Sequence, residues 1–179
     1  MRTRELRLER FPVAVARGLV DGDLERPASW HPQFPAEGTL SAARMLLGAY
    51  EALGVDPEHS PWWFFAVVLG GEVDGDVDGG VGGQVVGDVG FHGPPPDDGP
   101  VEVEIGYQVV PALRGRGVAT RACRLLLAHA WRHGADRVRA EVEPDNPDGS
   151  ASRAVLAANG FRAEGQLGFV VERPVGGAA

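Results

Sequence analysis

The sequence predicts a single α/β domain, and three observations carry that expectation. Segments whose apolar residues alternate with period two are interleaved with segments in which they recur every three or four positions. A strand pattern ending at Val110, glycines at Gly115 and Gly117 and a helical pattern beyond them form a strand–turn–helix unit. The length of 179 residues, with 44% apolar and 23% charged residues, suits one globular domain with enough apolar mass for a core.

The elements follow in order. Residues 3–9 alternate around Leu6 and Leu8 and are expected as an edge strand, with a short helix over 12–20. Residues 22–38 carry Pro27, Trp30, His31, Pro32 and Pro35 without a period and are expected as a long ordered loop. Leu40, Ala43, Leu47, Tyr50 and Leu53 share a helical face, so a helix starts at Thr39, and Gly54 closes it. Residues 62–69 and 84–92 are rich in aromatic and β-branched side chains and are expected as buried strands, with Trp62 and Trp63 in the core.

The linker between them, 70–83, is almost entirely Gly, Asp and Val. Its Asp74-x-Asp76-x-Asp78-Gly79 spacing matches half a calcium loop, but the twelfth position is Val85 where a bidentate Glu is required, which favours a hairpin tip. Residues 93–100, with three consecutive prolines, form another loop. In 101–110 Val101, Val103, Ile105 and Tyr107 alternate with Glu102, Glu104, Gly106 and Gln108 until Pro111 stops the strand. A helix over 117–133, a strand over 137–143, a helix from Ser150 or Ser152 to Asn159 and a strand over 166–173 complete the chain.

Composition narrows the function. The longest apolar run, 62–69, falls far short of the roughly 20 residues of a membrane span. The N-terminus alternates charge where a signal peptide would be apolar, so a cytoplasmic protein is expected. Seventeen basic residues, all Arg, against 25 acidic ones give a net charge of -8, which argues against nucleic acid as a partner. The lone Cys123 is expected in the core. His129 and His133 lie one helical turn apart, but Ala130 stands where a zinc-protease glutamate would be and no third ligand is evident, so no metal is expected.

The run Arg114-Gly115-Arg116-Gly117-Val118-Ala119 is the most specific feature. Glycines let a ligand approach the backbone, the first helical turn offers unpaired N–H groups, and the helix dipole favours an anion such as a diphosphate. Arg114 and Arg116 add charge that can pair phosphate oxygens. A dinucleotide site is the nearest rival, but that fingerprint belongs in the first strand–helix unit of a longer alternating chain.

With Arg114, Gly117 and Ala119 in place, the sequence resembles the GNAT superfamily of acetyl-CoA-dependent N-acyltransferases. Asn146, Ser152-Arg153-Ala154-Val155-Leu156 and Asn159-Gly160-Phe161 are similar to the branch that includes ribosomal-protein N-terminal acetyltransferases. The resemblance implies a mixed, mostly antiparallel sheet, splayed by a bulge in the strand ending near Val109, with helices on both faces. It implies acetyl-CoA as cosubstrate, held by Tyr107, Gln108 and Val109 along the pantetheine and by Arg114, Gly115, Arg116, Gly117, Val118, Ala119 and Thr120 around the pyrophosphate. Asn146 and Ser152 complete that set, and the N–H near Val109 would polarise the thioester carbonyl.

Leu156 stands where many members have a tyrosine acid, and Val103 where some have a glutamate base. Glu104 is the candidate base in this strand, with Glu102 behind it, and Trp30 and His31 are the candidates for contact with the acceptor. The expected activity is acetyl transfer to a primary amine of a small molecule or a peptide N-terminus, with homodimer formation allowed. The missing acid leans toward an amine of low pKa or a water-relayed base. The alternative is a non-catalytic acetyl-CoA sensor or assembly module of the same fold.

Overall fold

The structure, a computed structural model, describes residues 5–70 and 83–174. The first residues of the expected edge strand and the aspartates of the calcium-like spacing lie outside the described residues. Strands β1 (Leu6–Arg10), β2 (Phe64–Gly70), β3 (Gly83–Phe91), β4 (Glu102–Val109), β5 (Arg137–Glu141), β6 (Arg162–Glu164) and β7 (Gly168–Glu172) form one sheet in the order β1-β2-β3-β4-β5-β7-β6. All neighbours are antiparallel except β4 and β5, which are parallel and joined through a helix.

The helices are α1 (Val13–Asp21), α2 (Glu37–Leu53), α3 (Val118–Arg132) and α4 (Gly149–Ala158). Helix α2 packs on β3 and β4, and α3 packs on β1, β3 and β4 with α4 beside it. The strand alternation separates the two faces: Val103, Ile105 and Val109 are buried, while Glu102, Glu104 and Gln108 project to the other side. Among the described residues no helix is long and apolar enough to cross a membrane.

Two expectations need correction, and one strand was not expected. The register of β3 with β4 runs unbroken from Phe91↔Ile105 to Gly87↔Val109, so β4 holds no bulge there. The register shift lies instead between β2 and β3, at Val67/Val68, where Val86 is the extra residue. The sheet is splayed because β4 and β5 pair only over Glu102↔Arg137, Val103↔Val138 and Glu104↔Arg139, after which β4 continues alone to Val109. Secondly, Asp148 rather than Ser150 or Ser152 precedes α4, and no side chain caps it. The unexpected strand is the exposed β6, which is too short to show a period in sequence.

One buried network fixes α2 to the start of β2. The Tyr50 hydroxyl donates to the Trp62 carbonyl at 2.7 Å and accepts from Ser60 Oγ at 2.5 Å, with Tyr50 only 1% exposed. Tyr50→Phe strands the Trp62 carbonyl without its donor and should lower the unfolding free energy by about 1–3 kcal/mol. Urea denaturation followed by tryptophan fluorescence measures it; an unchanged midpoint would show that the network adds no stability.

Candidate active site

Two cavities flank the free end of β4, and both are lined by Tyr107 and Gln108. The larger, about 590 Å³, lies between β4, the start of α3 and α4. Its lining contains every residue expected to hold the cosubstrate except Arg116. Gly115 at φ 68° and Gly117 at φ 72° turn the chain through the left-handed region into α3. The N–H groups of Val118, Ala119 and Thr120 fall in the first turn, where no intrahelical acceptor exists, and Arg121 N–H is the first to bond back, to the Gly117 carbonyl at 3.1 Å. A Cβ on Gly117 would meet nothing within 4 Å, so the glycine serves its backbone angle and keeps the cradle open.

Arg114 does not hold its guanidinium free for an anion. Its Nε donates to the Val109 carbonyl at 3.1 Å, and its terminal nitrogen pairs with Asp148 at 2.7 Å. It therefore ties the end of β4 to the loop before α4. Asn146 Oδ1 accepts from the Asp148 N–H at 2.9 Å and shapes the same loop. Across the cleft the Tyr107 hydroxyl donates to the Ser152 carbonyl at 3.0 Å, and burial pushes the phenol pKa up. Leu156 is fully buried.

The backbone of β4 faces the splay in an ordered way. His92 N–H donates to the Glu104 carbonyl and Val110 N–H to the Val86 carbonyl, both at 2.9 Å. Antiparallel bonding alternates, so Gly106 and Gln108 also turn toward β3, while the N–H groups of Tyr107 and Val109 turn toward the gap left by β5. Those donors are placed to meet an extended ligand lying in the gap.

The second cavity, about 410 Å³, lies on the opposite face beneath α2. Cross-strand pairs build its floor: Asp88↔Gln108, then Gly90↔Gly106, then His92 facing Glu104. Gly38, Ser41, Ala42, Met45 and Leu46 of α2 form the roof, with Phe64 and Phe91 at the sides. Glu104 does not line this cavity; His92 does, and its Nδ1 lies 2.8 Å from Glu104 Oε1. The bond from His92, with burial opposing and Arg139 nearby, holds the Glu104 carboxyl below its ordinary pKa. The other ring nitrogen of His92 leans over Gly106, where a Cβ would stand 2.8 Å from it.

Asp88 is 5% exposed and accepts from the Thr39 hydroxyl at 2.5 Å through one oxygen. Its other oxygen has no hydrogen-bond donor among the described residues. Burial raises its pKa to about 6 against the opposing Thr39 bond, and no cation offsets the burial.

Other sequence candidates lie elsewhere. Trp30 is 7% exposed, with its ring centroid 5.9 Å from Phe11 and 4.9 Å from Phe34, in the core near α1. His31 Nδ1 accepts from the Gln33 N–H at 3.1 Å, and neither residue borders the two cavities. The aperiodic loop that suggested them is ordered by packing and by the Trp30↔Val85 bridge. Glu102 faces Arg137 at 3.2 Å and Arg139 at 3.5 Å in a surface ion network. His129 Nε2 donates to the Pro61 carbonyl at 2.9 Å, and His133 Nδ1 donates to the His129 carbonyl at 2.8 Å. Sequence reasoning passed over Asp88, His92 and Gly38; the one available signal was a lone charge at Asp88 inside an otherwise apolar strand.

The buried Asp88 predicts a pH signature. Its folded pKa of about 6 stands above the ordinary 3.8, so its contribution to stability is full below about pH 4 and is lost as pH rises through 6. By about pH 8 the loss is roughly 3 kcal/mol. The stability of Asp88→Asn relative to the parent should therefore rise by about that amount from pH 4 to pH 8, read by denaturant unfolding at both ends. A pH-independent difference would contradict the assignment.

Known proteins share the fold. The family model for the acetyltransferase (GNAT) domain matches residues 6–162. No curated protein matches the chain significantly. Among solved structures, a ribosomal-protein-S5-alanine acetyltransferase from Vibrio fischeri is similar at TM-score 0.59 and 17% identity, over 96% of this chain and 95% of that one. The protein yncA from Salmonella typhimurium, solved with its cofactor acetyl-CoA, is similar at TM-score 0.56 and 16% identity, covering 97% and 96%. An acetyltransferase from Agrobacterium tumefaciens is similar at TM-score 0.53 and 19% identity, covering 97% and 94%. At these identities the likeness concerns the fold, and with the family match over most of its length the chain belongs to the GNAT acetyltransferase family.

Proposed function

We propose that this protein transfers an acetyl group from acetyl-CoA directly to a primary amine, with the cosubstrate in the larger cavity and the amine under α2. The observation that carries this reading is that the two cavities approach the free end of β4 from opposite faces and share Tyr107 and Gln108. The residues fit the cosubstrate: left-handed glycines and unpaired helix N–H groups suit a diphosphate, and the unpaired edge of β4 suits the amide-bearing pantetheine. Bound there, acetyl-CoA supplies a thioester carbonyl that an amine can attack and a thiol that can leave.

The remaining work falls to the chain's own groups. The Val109 N–H, facing the gap, stabilises negative charge on the carbonyl oxygen. The amine attacks only when neutral, and His92 Nε2, leaning over Gly106 into the acceptor cavity, accepts its proton. Glu104 is a positioning residue: it accepts from His92 Nδ1 and thereby presents Nε2 as the acceptor. This pair supplies a base that does not depend on Val103, so the lean toward an amine of low pKa falls away. The departing thiolate, with a pKa near that of cysteine at about 8.5, needs no tyrosine in place of Leu156.

Thiol release with a panel of alkylamines, amino sugars and peptides tests the activity; binding of acetyl-CoA with no turnover on any acceptor would favour the sensor alternative. Gly117→Val places a β-branched residue at φ 72° in the cradle and should weaken acetyl-CoA binding at least about a hundredfold by calorimetry. Unchanged affinity in a folded variant would put the diphosphate elsewhere.

His92→Gln should lower kcat near pH 7 by at least about tenfold, with part of the rate returning as pH approaches the pKa of the amine. Glu104→Gln should lose less, and the double variant no more than His92→Gln alone, because the two act as one unit. Additive losses, or an undiminished pH–rate profile in His92→Gln, would remove the pair from the proton step.

A further inference from the structure

The acceptor cavity has Asp88 and its cross-strand partner Gln108 toward one end, His92 toward the other, Ser41 in its roof and otherwise mainly apolar walls. At one end lies Asp88, a carboxylate with a single donor, Thr39, and an oxygen left without one. No cation contributes to its environment, so an ionised Asp88 is a buried charge lacking a counter-ion. One pair along the ladder, Gly90 and Gly106 leave the floor low, and the His92 ring leans over Gly106. Ala42, Met45, Leu46 and Phe64 enclose the space between, with Ser41 beside them in the roof. Hydrocarbon suits that middle, and a cation suits the Asp88 end.

We propose that this cavity selects an α,ω-diamine: one amino group reacts beside His92, and the other, kept as an ammonium, pairs with Asp88. The proposal rests on the acetyltransferase reading and adds the class of acceptor. Adjacent same-face pairs on the ladder lie two residues apart, so the Asp88 end and the His92 nitrogen over Gly106 are separated by roughly 7 Å at about 3.3 Å per residue. Two amines joined by about four methylenes in extended form span a similar distance, with bonds of about 1.5 Å. Each nitrogen would therefore sit over its partner, its hydrogen bond of about 2.8 Å directed across the chain and not along it. The methylenes then lie against the glycine floor, beneath Ala42 and Met45. A monoamine of equal length would leave Asp88 without its partner, and a neutral peptide N-terminus would bring no second cation.

The probes are 1,4-diaminobutane and butylamine, which share a chain length and differ in the second ammonium. In the unmodified protein kcat/KM should favour the diamine by at least about tenfold, mainly through KM. In Asp88→Asn, whose fold is checked by circular dichroism and acetyl-CoA affinity, that preference should shrink to within about threefold. Calorimetry with 1,4-diaminobutane on the CoA-saturated protein provides a readout independent of turnover, and its affinity should fall at least about tenfold in Asp88→Asn.

The outcomes separate the two claims. Asp88-dependent diamine binding without thiol release from any amine would sink the acetyltransferase reading and keep the diamine site. Thiol release with equal efficiency on both probes, or diamine affinity indifferent to Asp88→Asn, would overturn the diamine proposal and leave acetyl transfer standing. A preference for peptide N-termini over the diamine would overturn it as well. The comparison of probes in the unmodified protein decides the matter even where the variant fails to fold.

Discussion

Parallel pairing between β4 and β5 stops at Glu104 and Arg139, and the arrangement of the site follows from that interruption. Past this point β5 pairs only with β7, while β4 runs on against β3 to Val109. A strand held on one edge presents unused donors and acceptors on the other, which is a template for an extended ligand. The gap also lets material approach one strand from both faces of the sheet. Tyr107 projects toward α3 and α4, Gln108 toward α2, and each borders both cavities. Nothing in β4 itself has to be distorted: its register is continuous, and the sheet opens because its neighbour leaves.

The groups around the gap fall into two electrostatic regimes. On the side of the larger cavity, the proposed seat of the cosubstrate, the attraction for an anion comes mainly from backbone geometry, since the guanidinium of Arg114 is engaged by Asp148 and the Val109 carbonyl. Both partners of that ion pair are substantially exposed, so its role is to order the loop before α4 rather than to add much stability. On the side of the smaller cavity, the proposed acceptor site, the sheet buries a carboxylate at Asp88 with one hydroxyl for company. Such a placement costs folding stability whenever the group is charged, and it persists where a ligand can supply the missing charge. His92 and Glu104 differ: they satisfy one another at the edge of solvent, which leaves one ring nitrogen for work in the cavity.

Much of this was legible in the sequence because it depends on local periodicity. The alternation through 101–110 correctly separated the buried Val103 and Ile105 from Glu102 and Glu104, since an unbroken strand keeps its period of two. The glycines at 115 and 117 announced a turn into a helix that a ligand can approach closely; the structure adds that both take positive φ. What escaped is what depends on register between distant segments. That His92 lies opposite Glu104, that Gly106 makes room for its ring, and that Thr39 of α2 meets Asp88 of β3 are facts of sheet pairing and helix placement. Trp30 misled for a related reason: a loop without a period can still be core when its aromatic residues fill the end of a sheet.

The central claim is that the two cavities form one path across the free end of β4, along which the acetyl group passes. A conjugate of coenzyme A whose sulfur carries an acetamide linked to a short alkylamine joins the two ligands covalently and can bind fully only if the cavities communicate. Calorimetry should find this conjugate binding at least about tenfold more tightly than coenzyme A alone and excluding acetyl-CoA and the amine together. An affinity no greater than that of coenzyme A, with the amine still able to bind, would show two unconnected cavities and contradict the account.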